Sequence, residues 1–252
     1  AEIAISNMEL IASLKKPVGF FDPDNRLEKG ISNEEEKNEG NEEEESSIES
    51  SASNQRRPML SFDNTDMAFS NDLLIAGSYH GFNIYRLGED GVPSHITSVV
   101  CPGGQGDVSV VGDLLILSVQ DTRGRLDCGL EGVSPEPSEE RFRGLRIFDI
   151  SDPLMPIQVG AVQTCRGSHT HSVVDGPTED GTIIVYNSGT SSIRDQEEMK
   201  DCFEDIPGDD RTALFRIDVI EIPISDPSES KIVNSPTVFA DPETGVIAGL
   251  WR

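Results

Sequence analysis

Gly106-Asp107-Val108-Ser109-Val110-Val111-Gly112-Asp113-Leu114-Leu115-Ile116-Leu117-Ser118 is the stretch that decides the fold. A short alternating run meets a tight Gly-Asp turn and continues as an apolar run, which is the pattern of a β-hairpin. The same plan occurs earlier as Thr65-Asp66-Met67-Ala68-Phe69-Ser70-Asn71-Asp72-Leu73-Leu74-Ile75-Ala76-Gly77-Ser78. A third copy begins at Thr170-His171-Ser172-Val173-Val174 and resumes at Thr182-Ile183-Ile184-Val185-Tyr186, its turn lengthened by Asp175 to Gly181.

Each hairpin is followed by a second pair of strands. The middle unit has Gly144-Leu145-Arg146-Ile147-Phe148-Asp149-Ile150, the turn Ser151-Asp152-Pro153, and Ile157 to Val162. The first has Gly81 to Leu87 and then Ile96 to Val100. The third has Phe215 to Ile224, the turn Ser225-Asp226-Pro227, and a strand near Ile232-Val233. Four short antiparallel strands, repeated, are the plan of propeller blades. No amphipathic helix interrupts them. The expectation is an all-β chain of about three four-stranded blades. Propellers usually close with four to eight, so this one reads as incomplete, with the remaining blades expected from a longer chain or another subunit.

Gly-Leu-Arg-Ile-Phe-Asp-Ile-Ser-Asp-Pro-x-x-Pro at 144–156 resembles the repeat of LVIVD proteins, which are bacterial and archaeal exported or surface β-propellers. Asp107-Val108-Ser109-Val110-Val111-Gly112 matches the first-strand motif of that family. Cys165-Arg166-Gly167-Ser168-His169-Thr170-His171 looks like a segment of one bacterial branch. The resemblance covers about residues 59–250. The first blade departs from it at Arg86-Leu87-Gly88-Glu89-Asp90, and the third keeps only Ile224-Ser225-Asp226-Pro227. It implies a fold and a location rather than an activity.

The chain has 252 residues, 46 Asp+Glu against 20 Lys+Arg, and a net charge of −26. Such a surface repels a nucleic-acid backbone or an anionic membrane. No apolar stretch approaches the roughly 20 residues that a membrane helix needs. Residues 1–20, with Met8 to Leu14 at their centre, read as an N-terminal strand belonging to the propeller. Residues 21–57 hold Glu34-Glu35-Glu36, Glu42-Glu43-Glu44-Glu45 and a Ser-rich tail. That composition cannot bury enough apolar surface to offset its ordering entropy, so it reads as a disordered acidic insertion. The blades then occupy 58–252, as about 58–102, 103–164, 165–240 and the start of a further blade at 241–252.

Candidate chemistry follows from the repeat. Asp66, Asp107 and His171 align, each opening an innermost strand; two positions earlier Asn64, Gln105 and His169 align. Side chains two apart on a strand face the same way. Converging carboxylate and imidazole groups could hold a divalent metal such as calcium or zinc at the mouth of a propeller channel, with His171, His169, Asp107 and Asp66 as ligands. Hydrogen bonding of backbone turns between blades is the favoured reading of the same residues, in which case no cofactor is implied. The chain contains no Gly-x-Ser-x-Gly and no His-Glu-x-x-His.

Four cysteines, none in a Cys-x-x-Cys pair, fit two disulfides in an exported protein. Cys101 and Cys165 each lie six residues before the aligned Asp107 or His171. Cys128 and Cys202 each fall in the long loop between the second and third strands of a blade. Connector and loop lie on one side of a blade, which predicts bridges Cys101–Cys128 and Cys165–Cys202. The function this supports is an exported or cell-surface module with a protein or glycan partner at the channel-mouth face. A metal-dependent enzyme and a carbohydrate-active propeller are the alternatives, so enzymatic activity stays undecided.

Overall fold

The computed structural model describes residues 7–17, 64–134, 137–204, 211–238, 241, 243, 244 and 246. The acidic tract at 21–57 and most of 241–252 lie outside the described residues, as does Trp251.

Among the described residues twelve strands form three four-stranded antiparallel sheets. The first contains β1 (Asn64–Ser70), β2 (Leu73–Ser78), β3 (Gly81–Leu87) and β4 (Pro93–Val100). The second contains β5 (Gln105–Val111), β6 (Leu114–Val119), β7 (Gly144–Asp149) and β8 (Ile157–Gln163). The third contains β9 (Thr170–Asp175), β10 (Thr182–Ser188), β11 (Asp218–Pro223) and β12 (Lys231–Asn234). Each sheet is a meander in sequence order, and the only helical segment among the described residues is one 3-10 turn, Pro227–Glu229. These are the three blade-like units expected from the repeats. Among the described residues they do not close into a ring.

The middle blade is sandwiched between the other two. Successive side chains of β6 point to opposite faces. Leu115 and Leu117 pack with Ile75, Phe82 and Ile84 of the first blade, while Leu114 and Ile116 pack with Ile183, Val185, Ile220 and Ile222 of the third. With both faces covered, β6 has no solvent side, which is why it reads as an unbroken apolar run. Burying each such side chain contributes about 1.5–3 kcal/mol. Phe82 meets Phe148 edge-on across the first interface, ring centroids 5.0 Å apart.

The innermost strands β1, β5 and β9 lie side by side. Bulges between Asn64 and Met67 in β1, and between Gln105 and Val108 in β5, fall at the same repeat position. Gly106 sits in the second bulge at φ +70°, and a Cβ there would lie 2.2 Å from the Ser78 carbonyl oxygen. Only glycine lets the two blades come that close.

Two expected elements differ. Residues 7–17 form no strand, and Met8, Leu10, Ile11 and Leu14 are exposed. Each described blade already has its four strands, and no edge takes this segment as a partner. The third strand of the last blade begins at Asp218 rather than Phe215, because Phe215 has φ +54° and cannot continue an extended ladder.

Candidate functional site

Asp66, Asp107 and His171 do come together, along the seam between the innermost strands. The Val108 N–H of the second blade donates to Asp66 Oδ2 at 3.1 Å. One blade further, the His171 N–H donates to Asp107 Oδ2 at 2.8 Å. The first and second blades thus each use a first-strand aspartate to hold the backbone of the next. The same Asp107 oxygen is 2.9 Å from His171 Nδ1. Ser118 Oγ is also 2.9 Å from that nitrogen and 2.7 Å from Ser168 Oγ. Burial would raise the Asp107 carboxyl, but hydrogen bonds from the His171 side chain and backbone outweigh it and hold the carboxyl below its usual range.

This seam does not have the layout of a catalytic relay, because the serine and the aspartate share one ring nitrogen instead of occupying opposite ones. It also lacks the expected metal set. His169 turns away, its Nδ1 lying 2.9 Å from Gln120 Oε1 and 3.2 Å from Thr190 Oγ1. Asp66, Asp107 and His171 Nδ1 are engaged with backbone, with one another and with Ser118. Among the described residues no group of three or more His, Cys, Asp or Glu side chains is placed to hold a metal ion. His80 is buried in the β2–β3 turn, and exposed His95 stacks edge-on against Tyr85 at 5.4 Å.

The richer site lies in the long loops. Cys101 is bridged to Cys128 and Cys165 to Cys202, at Cα separations of 4.5 and 5.3 Å. That is the pairing argued from the repeat positions, and among the described residues no cysteine is free. Each bridge fastens the loop between the second and third strands of a blade, 120–143 or 189–217, to the connector that enters the same blade. The first loop folds back through a bridge between Arg125 and Arg141. Arg125 clamps it further, reaching Asp127 at 2.7 Å and Glu140 at 2.9 Å. Fully buried Arg146 ties that loop down onto β7. It donates to the carbonyls of Arg125 and Leu126 and to Gln158 Oε1, and its guanidinium lies 4.3 Å over the Phe142 ring.

The two loops meet around Glu198. Its carboxylate takes Arg141 Nε at 2.7 Å from one loop, Arg194 Nε at 3.1 Å from its own, and the Ser138 N–H at 2.8 Å. Burial pushes the Glu198 carboxyl up, and these partners more than reverse it, leaving it below the ordinary carboxylate value. Arg194 also donates to the Arg141 carbonyl and to Gln163 Oε1, and Arg141 to the carbonyls of Thr122 and Ser134.

Beside this joint is a cavity of about 610 Å³, lined among others by Thr122, Arg141, Arg143, Ser192, Arg194 and Glu198. Arg143 is only 3% exposed. It donates from Nη1 to the Ser192 carbonyl at 2.7 Å, and its buried Nε has no hydrogen-bond partner among the described residues. Burial, then the charges of Arg194 and Arg141, lower its pKa to about 10, so it stays cationic at neutral pH.

None of these arginines was singled out from the sequence. The available signal was Arg141-Phe142-Arg143-Gly144-Leu145-Arg146, three arginines in six residues of a strongly acidic chain. The two bridges fit an oxidising, extracellular-type environment, and among the described residues no helix is long and apolar enough to cross a membrane. No protein-family model matches the chain, and no curated protein matches it.

Proposed function

We propose that this chain is an exported or cell-surface blade protein of the LVIVD type, and that its face of disulfide-bridged loops is a binding surface for a protein or glycan partner. One observation carries the reading: neighbouring blades each send out a long loop, each loop is stapled to its own blade, and the two lock together through Glu198. A connection needed only to span two strands of one blade would be far shorter. Long loops held in one shape by a rigid β scaffold are how such folds carry recognition. The loops also present apolar side chains to solvent, among them Leu126, Leu130 and Phe215. The repeats and the Asp-Ile-Ser-Asp-Pro motif at 149–153 support the family reading. The seam residues are occupied in joining blades, which favours the loop face over the seam as the place of binding.

The test is a panel of immobilised extracellular glycans and proteins probed with the oxidised chain. Saturable binding to at least one member is expected. Leu126→Asp combined with Leu130→Asp should abolish it, whereas Phe69→Asp, on the exposed face of the first blade, should leave it intact. Absence of saturable binding across the panel, or equal loss in the Phe69 variant, overturns the proposal.

A further inference from the structure

The cavity between the two loops has the wrong charge for this protein. The chain carries −26 overall, yet three guanidiniums, Arg141, Arg143 and Arg194, line the buried floor of the cavity with one buried carboxylate, Glu198. Glu198 is shared between Arg141 and Arg194. Among the described residues Arg143 therefore has no carboxylate bonded to it. Its one hydrogen bond there goes to a neutral carbonyl, and its buried Nε has no partner among them.

A buried, under-bonded cation is costly unless an anion or strong acceptor accompanies it. The structural arginines are better satisfied: Arg125 by the carboxylates of Asp127 and Glu140, and Arg146 by three neutral acceptors and the Phe142 ring, against the one acceptor of Arg143. The other carboxylates on the lining, Asp195 and Glu204, are exposed at the rim. Water screens them there, and Asp195 is already accepting the Glu197 N–H at 2.7 Å. With Thr122, Ser192 and Gln196 they give the mouth hydrogen-bonding groups suited to a hydroxylated molecule. The volume lies within the range of small-molecule sites, about 300–1,000 Å³. Guanidinium groups match the planar or tetrahedral oxygens of carboxylate and phosphate better than a lysine ammonium would.

We propose that the cavity between the two bridged loops binds a small hydroxylated molecule through its oxyanion, a carboxylate or a phosphate, with Arg143 as the anchor. The proposal rests on the reading of the loop face as the binding face, and it names one chemical class that this face accepts.

Calorimetric titration of the full, oxidised chain at constant ionic strength tests it, with gluconate as the hydroxylated carboxylate in one arm and inorganic phosphate in the other. At least one arm should give a single saturable site, and the arm that does so identifies the anion. Arg143→Gln should weaken that site at least tenfold, and Arg143→Lys should restore it only in part. If the Arg143 variants fail to fold, Gln196→Trp fills the mouth from an exposed position and should abolish binding in a folded protein. No saturable site in either arm, or unchanged affinity in Gln196→Trp or Arg143→Gln, overturns the anion proposal. Because the panel experiment is read on Leu126 and Leu130, which do not line this cavity, loop-face binding can survive that outcome or fail independently of it.

Discussion

Along the seam between innermost strands, two carboxylates and a histidine are absorbed by backbone N–H groups, by each other and by serine hydroxyls. At the joint between the loops, three guanidiniums meet one buried carboxylate. Both assemblies connect neighbouring blades. The seam repeats, Asp66 doing for the second blade what Asp107 does for the third; its carboxylates and His171 Nδ1 are taken up, and buried His171 Nε2 has no partner among the described residues. The joint occurs once and leaves Arg143 under-bonded. Buried polar groups matched to backbone are a fastening; a buried excess of one charge is an opening for something else to bind.

The sharpest way to break the comparison is Glu198→Gln. Glu198 is the only buried counter-charge at the joint among the described residues, with its side chain 3% exposed. Removing its charge leaves two further guanidiniums uncompensated, and loss of one partner of a buried pair costs about 3–5 kcal/mol. Urea unfolding at neutral pH should show a loss in that range, and a change under about 1 kcal/mol would mean the joint is not a true ion-paired lock. Next in size is the pair Cys165→Ser with Cys202→Ser. That bridge spans a sequence separation of 37 residues, so its loss is expected to cost about 4 kcal/mol in the chain-entropy picture. The bridge at Cys101 and Cys128, with a separation of 27, should cost slightly less. The two double variants, unfolded side by side without reductant, check both values and their order.

The seam was legible in the sequence and the joint was not, for a physical reason. Asp66, Asp107 and His171 stand at equivalent places in units that must stack alike, so aligning the hairpins aligns the contacts. The hairpin turns, the period-two alternation and the long apolar run of β6 likewise carry their own geometry. Pairing of the cysteines followed because repeat position fixed the side of the blade on which each lies. The joint has no such period: Arg143 ends one loop, Glu198 lies inside the next, and only the folded loops bring them together. For Asp66, Asp107, His169 and His171 the sequence carried both a metal reading and an inter-blade hydrogen-bonding reading; strand counting could not supply the directions seen at the β-bulges, where the two aspartates meet backbone and His169 meets Gln120 and Thr190. The expected N-terminal strand failed over 7–17 because apolar character alone supplies no ladder partner.

A smaller effect is expected at the seam. Asp107→Asn keeps an acceptor for the His171 N–H but removes the charge that faces His171 Nδ1 and Ser118. Hydrogen bonds to a charged group are worth about 1.5–3 kcal/mol, so a loss of about 2 kcal/mol is expected. The pH profile sharpens this. Asp107 and Glu198 both titrate below their ordinary values in the folded chain. Their contributions are therefore complete above the unfolded carboxylate value, about 4, and are lost as pH falls through the lower folded values. Stability measured from pH 6 down to pH 3 should fall, and Asp107→Asn should flatten the slope. An equal slope in wild type and variant would mean that Asp107 does not titrate with folding.

The smallest effect is expected from Asp66→Asn, and its size separates a repeated fastening from a charge-dependent site. Asp66 is only partly buried and holds the Val108 N–H at 3.1 Å. Asparagine keeps the acceptor that Val108 needs. The hydrogen bond is kept and only a partly solvated charge is lost, so a change within about 1 kcal/mol of wild type is expected. If the seam were instead a site that needs both negative charges, removing either would have a comparable effect, and Asp66→Asn would cost as much as Asp107→Asn. The two single variants measured by urea unfolding at pH 7 and pH 4 distinguish these cases: unequal losses support the fastening, while equal losses would break the contrast between seam and joint.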